Sequence, residues 1–344
     1  MTTISTKTGL RSDAAASASG LIDPLSIAML AGLAVAFVGL FYRWFEKQAQ
    51  FSSVQVEDWG HAFFVPAIAG YMIWQRRADL AASELRPFWP GLVPVLLGVM
   101  AYLTFSIGPF PGLHMFQGFS VVVTLFGVAL SLFGPAAMRH LAMPVLFLAL
   151  GVTIAERIML EITWPLQIIA SQGAFVLLGI IGLAFGFQTE VNGNVLTVIT
   201  SSGEEFPLNV AQACSGMRMV VAFVALGATV ALLTCRVWWH RIAVVLMSVP
   251  VALFMNIIRV AVLGLLTLQD PDLAQGEAHT FIGTLLLFPG LGLFLLLVWA
   301  LKKTVDLPKR EPASAGPLRI RAGSPVAAVL LVVLSVSAFG VGWA

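Results

Sequence analysis

The chain has 344 residues, of which 59% are hydrophobic and only 10% charged. A soluble domain carries about 25% charged residues, so this composition belongs to the bilayer. The net charge of +2 is too balanced to indicate a nucleic-acid partner, and two cysteines, Cys214 and Cys235, build neither a disulfide scaffold nor a CxxC metal pair.

Residues 1–24, rich in Ser, Thr, Ala and Gly, read as a weakly ordered cytoplasmic tail. The first apolar run opens near Leu25 and continues for about twenty residues, long for a cleaved signal peptide and long enough to span. Further apolar segments lie at 62–75, 89–107, 113–133, 138–155, 163–186, 215–234, 242–268 and 279–301. The 62–75 segment is short for the roughly 20 residues of a span. A basic linker, 304–324, separates a polytopic core over 25–303 from an additional transmembrane helix at 325–344.

Lys and Arg in short loops orient such a chain. The basic clusters are Arg76-Arg77 with Arg86, Arg139, Arg236 with Arg241, and Lys302-Lys303 with the linker. Placing them in the cytoplasm leaves outside the loops that are poor in Lys and Arg and mostly acidic. One segment breaks the pattern. If 163–186 crossed, every later basic cluster would land outside, and it carries Gln167, Ser171 and Gln172. It is therefore expected to lie at the interface or re-enter; ten ordinary spans are the alternative. The expected fold is an all-α polytopic membrane protein of about nine transmembrane helices, each near 20 residues, plus that interfacial or re-entrant helix.

The stretch "VLTVIT…SSGEE…FPLNV", preceded by the turn signal Val191-Asn192-Gly193-Asn194, reads as a short extracytoplasmic β-hairpin leading into Cys214. Three reactive or ionisable residues then share the outer side. Cys214 starts one helix and His279 another, while Arg259 lies roughly 13 Å down the helix 242–268, at 1.5 Å of rise per residue. Arg218 is one turn past Cys214 on the same face.

This set suits nucleophilic acyl transfer. A helix N-terminus and a nearby cation favour a thiolate. A histidine can take the thiol proton and return it to a leaving amine. An arginine, Arg218 or Arg259, can hold an oxyanion. Taken singly, each residue also has a plain structural role: packing for the cysteine, an interfacial position for the histidine, ion pairing to Glu156 or Glu161 for Arg259. A polytopic transporter, or a non-catalytic membrane component of exopolysaccharide or envelope assembly, is the competing reading.

At "AQACSGMRMV" the sequence resembles the exosortase/archaeosortase family of polytopic membrane cysteine transpeptidases. Ala213, Cys214, Ser215, Gly216, Met217 and Arg218 match its core signature, Asn256 and Arg259 its Asn-x-x-Arg helix motif, and His279 with Gly283 a later motif. In "GHAFFVPAIAGYMIWQRR", His61, Val65, Pro66, Trp74, Arg76 and Arg77 match an N-terminal segment. Gln212 departs from a glutamate common in the family, and Ala62 from a glycine.

The resemblance implies an enzyme of the bacterial inner membrane with its active site facing outward and with neither cofactor nor metal. Its partners would be exported proteins with a C-terminal sorting signal (a motif of the PEP-CTERM kind, a transmembrane helix, a basic tail) and a polysaccharide or lipid-linked envelope acceptor. Cys214 would be the nucleophile, Arg259 the electrostatic stabiliser and His279 the acid/base. Arg218, Asn256, His61, Gly216, Gly283 and Gln212 would contact substrate or support these three.

Overall fold

The computed structural model describes residues 24–107, 113–210, 216–235, 237–269, 281, 285–303 and 325–342. The helices of the first half are α1 (Pro24–Val54), α2 (Val56–Trp59), α3 (Phe64–Gln75), α4 (Arg77–Ala82), α5 (Leu92–Ser106) and α6 (His114–Phe147). The second half holds α7 (Glu156–Phe185), strands β1 (Gln188–Asn192), β2 (Val195–Ile199) and β3 (Glu205–Asn209), then α8 (Gly216–Thr234), α9 (Trp238–Thr267), α10 (Leu287–Lys303) and α11 (Pro325–Gly342). Among the described residues, 5 helices are long and apolar enough to cross a membrane, and shorter apolar helices lie within α8, α10 and α11. Helices satisfy their own backbone, as the bilayer demands. The mainly helical, polytopic class is therefore as expected. Most of the N-terminal tail and the linker 304–324 lie outside the described residues.

Two compact units divide the chain. In the first, which holds most of α1 together with α3 to α6 and α11, α5 runs along α6 through small residues. A Cβ at Gly98 would collide with Thr124, and one at Gly127 would lie 2.5 Å from the Val95 nitrogen. Lipid supplies no hydrophobic force between helices, so backbone proximity of this kind does the packing. The break expected between 133 and 138 falls at Gly134, whose φ of 78° and ψ of 175° interrupt α6 just before Pro135. Only glycine enters that region without a steric penalty. The helix α11 packs on α5 and α6 through Val326, Ala327, Leu330 and Leu334, all buried.

The second unit holds α2, α7, the sheet and α8 to α10. Its sheet is an antiparallel meander in the order β1-β2-β3. It therefore contains the expected hairpin and one strand more. The added β1 is a polar strand whose alternate residues Gln188, Glu190 and Asn192 are exposed, which hides it from a search for apolar alternation. Gly193, at φ 61°, makes the two-residue turn into β2. The Val210 N–H donates to Asn194 O at 2.9 Å and the Thr200 N–H to Glu204 O at 3.0 Å. Even-numbered residues of β3 thus face β2, and Pro207 faces the outer edge, where no N–H is needed. Leu196, Val198 and Leu208 are buried against Ala170, Ala174 and Leu178 of α7 and Val260, Ala261 and Leu263 of α9.

The segment 163–186 forms part of one helix of 30 residues, α7, which is long and apolar enough to cross. Of the interfacial and re-entrant forms expected for it, the interfacial one needs correction. Thr163, Gln167 and Ser171, spaced by one turn, are buried, whereas Ile162, Ile169, Val176, Ile180 and Leu183 are exposed. An interfacial helix buries its apolar face and shows its polar one. This helix does the reverse, as suits a segment whose outer face meets lipid and whose polar groups must find partners inside. The Ser171 hydroxyl donates to Gly193 O at 2.9 Å, tying α7 to the β1–β2 turn.

Candidate active site

The sheet sets the approach to the cysteine motif. Val210 follows β3 directly, is fully buried, and is held by its hydrogen bond to Asn194 in the β1–β2 turn. Six residues later α8 opens at Gly216, and Cys214 precedes that opening by two positions. Cys214 and Gln212 themselves lie outside the described residues, as do His279, Gly283 and the side chain of Arg218. The first turn of α8 carries unpaired backbone N–H groups and the positive end of the helix dipole, which stabilise negative charge nearby.

The levels of α8 and α9 follow from two contacts. Residues 235–237 join these helices, and so short a link makes them antiparallel neighbours. A Cβ on Gly227 of α8 would lie 3.0 Å from Ser248 Cβ of α9. Eleven residues back from Gly227 is Gly216, and eleven on from Ser248 is Arg259. Each step is about 16 Å of helical rise, so Arg259 stands level with the start of α8. The second contact agrees. A Cβ on Gly290 of α10 would lie 2.7 Å from Phe223 of α8 and 3.0 Å from Met255 of α9, which puts those two residues at one height to within about a turn.

Arg259 is only 7% exposed, and Asn256, one turn before it, is 1% exposed. The expected partners Glu156 and Glu161 are both exposed. Neither Oδ1 nor Nδ2 of Asn256 has a hydrogen-bond partner among the described residues. Val260, Ala261 and Leu263, which follow directly on Arg259, belong to the core shared with the sheet. The α9 segment that carries Asn256 and Arg259 is thereby fixed to the strands that lead toward Cys214. His61 sits in a 3-10 turn, Gly60–Phe63, beside Trp59, at 6.0 Å between ring centroids, and α2 packs on α8.

The structure thus brings Arg259, Asn256 and Gly216 to one end of a helical hairpin, with His61 on the turn after α2 in the same unit. Ser171 was not read from the sequence as a supporting residue, although it anchors the turn on which Val210 hangs. The signal was present as a polar stripe at one-turn spacing in an otherwise apolar helix.

The fold defines a polytopic membrane protein in which a small sheet feeds a helix start, level with a buried arginine on the neighbouring helix. The chain belongs to the transmembrane exosortase family, whose model matches residues 52–300. That range takes in every candidate site residue and leaves most of α1 and all of α11 outside it. No curated protein and no solved structure matches the chain.

Proposed function

We propose that the protein is a cysteine transpeptidase of the bacterial inner membrane. It cleaves the C-terminal sorting signal of exported proteins on the extracytoplasmic side and passes them to an envelope acceptor. The observation that carries this reading is Arg259, 7% exposed and level with the start of the helix that Cys214 precedes. A buried guanidinium in an apolar helix is costly and by default marks function.

In the proposed cycle Cys214 gives up its proton to His279, and the thiolate attacks the carbonyl carbon of the scissile peptide. Arg259 offsets the charge on the tetrahedral oxygen. The C–N bond then breaks, the proton passes from His279 to the leaving amine, and a thioester remains on Cys214. An acceptor amine or hydroxyl attacks that thioester, its proton returns through His279 to the thiol, and the enzyme is free again. Gly216 opens the helix whose dipole favours the thiolate, while Arg218, Gln212, His61 and Gly283 line or support the site.

The test is to co-express the protein with a tagged exported protein bearing a C-terminal motif, helix and basic tail. The wild type removes the tail, and Cys214→Ala and His279→Ala do not. Tail removal that persists in Cys214→Ala refutes the nucleophile.

A further inference from the structure

Asn256 presents a buried carboxamide that the described residues leave without a hydrogen bond. It is 1% exposed, and both its oxygen and its nitrogen lack a hydrogen-bond partner among the described residues. An unmet polar group in an interior costs about 1–3 kcal/mol, so native structures rarely keep one without a reason. The described residues show no structural reason. Asn256 caps no helix, since it lies eighteen residues into α9 and eleven before its end, and the residues beside it on α9, Met255 and Ile257, pack against α10 and α7 through apolar contacts at Gly290 and Gly173. The amide is not fastened to Arg259 either, although the two stand one turn apart on adjoining parts of one helix face.

The position explains what the amide is for. By the Gly227–Ser248 contact, Asn256 stands level with the first turn of α8, about one helical turn deeper than Arg259. A carboxamide offers one acceptor and two donors, the complement of a peptide group, which offers one donor and one acceptor. A lone cation would leave the Nδ2 donors unmet, and an anion would leave Oδ1 unmet. We propose that Asn256 is a substrate-contacting residue whose carboxamide receives a backbone peptide group of the exported polypeptide, one turn below the guanidinium of Arg259. This rests on the transpeptidase reading and adds to it the chemistry of the substrate at a stated depth: the backbone of an extended chain, engaged irrespective of its side chains. Binding supplies the hydrogen bonds that folding leaves unmade.

The argument makes stability and activity move in opposite directions. Asn256→Leu keeps the branched shape and the number of side-chain heavy atoms, puts two bulkier methyl groups in place of the amide atoms, and removes the unmet polar group. It is expected to leave the thermal midpoint of the purified protein in detergent unchanged or higher, while processing of the tagged, tail-bearing exported protein falls by roughly 10- to 100-fold, the worth of one or two lost hydrogen bonds. A midpoint lowered by several degrees would mean that the amide is structurally bonded, and would overturn the proposal. So would full processing at an unchanged or raised midpoint, the result expected if only an ordered water occupies the site. Should the Leu variant fail to accumulate, Asn256→Ala serves for the processing arm, and retained processing overturns the proposal in the same way. Cys214→Ala in the same assay separates the two levels of inference. Processing that stops in Cys214→Ala and persists in Asn256→Leu removes the peptide contact and leaves the transpeptidase standing, whereas processing that persists in Cys214→Ala removes the enzyme reading itself.

Discussion

The crossing of α7 and α9 at Gly173 gives a test in which the structure supplies the magnitude. A Cβ at position 173 would lie 2.5 Å from Ile257 Cδ1, 2.7 Å from Cγ1 and 3.2 Å from Cγ2. Carbon atoms prefer roughly 3.5–4.0 Å, so Gly173→Ala forces the whole Ile257 side chain, or the helix beneath it, to shift by about 1 Å. Overpacking of this kind costs about 1–3 kcal/mol. Ile257 follows Asn256 and precedes Arg259 by two residues, so relief by moving α9 displaces the site, and a displacement of that size can cost up to about 100-fold in rate. Ile257→Ala deletes all three obstructing atoms and, being half-buried, costs about 1–2 kcal/mol alone. The double variant should therefore be more stable than the sum of the two losses by at least about 1 kcal/mol, and should regain most of the processing that Gly173→Ala loses. Thermal unfolding followed by size-exclusion fluorescence in detergent, with the processing assay alongside, measures both. Losses that simply add, within about 0.5 kcal/mol, would show that the two helices do not meet as described.

Arg259→Lys keeps the positive charge but loses the planar fork of donors. The variant should accumulate normally and process its substrate roughly 100-fold more slowly, the usual cost of one oxyanion donor; wild-type processing would remove Arg259 from the reaction. The side of the membrane is read by thiol labelling in a Cys214→Ala, Cys235→Ser background. Cys235 is 4% exposed and would stay unlabelled on either side, so exposed reporters are needed. A membrane-impermeant maleimide should label Ser202→Cys in the β2–β3 loop and spare Trp238→Cys at the start of α9. The reverse pattern would place the candidate site in the cytoplasm.

Much of this fold is legible in the sequence, because a bilayer forces simple statements. Long apolar runs become helices, Gly134-Pro135 breaks one where two spans were expected, and Val191-Asn192-Gly193-Asn194 makes its turn. The burial of Arg259 and Asn256 follows from their place in an apolar run. What stayed hidden has physical causes. Strand β1 shows its polar alternate residues to solvent and offers little apolar pattern to find. The interfacial reading of α7 fails because Gln167 and Ser171, which resemble the polar face of a surface helix, are buried, Ser171 donating to Gly193 O. The alignment of Gly216 with Arg259 depends on a glycine–serine contact midway along two helices, and no local pattern in either helix announces it.

The inside-out character of α7 bears on how such a chain can change over generations. Leu183, Ile180 and Val176 are apolar and each more than half exposed, so their outer parts meet lipid, where most apolar side chains serve. Thr163, Gln167 and Ser171 are the buried ones, and Ser171 is hydrogen-bonded to Gly193 of the β1–β2 turn. Drift along this helix should therefore run against the usual expectation, with the greasy residues exchanging freely and the modest polar ones retained. A comparison of relatives ranked by hydrophobicity alone would discard the positions that carry the architecture.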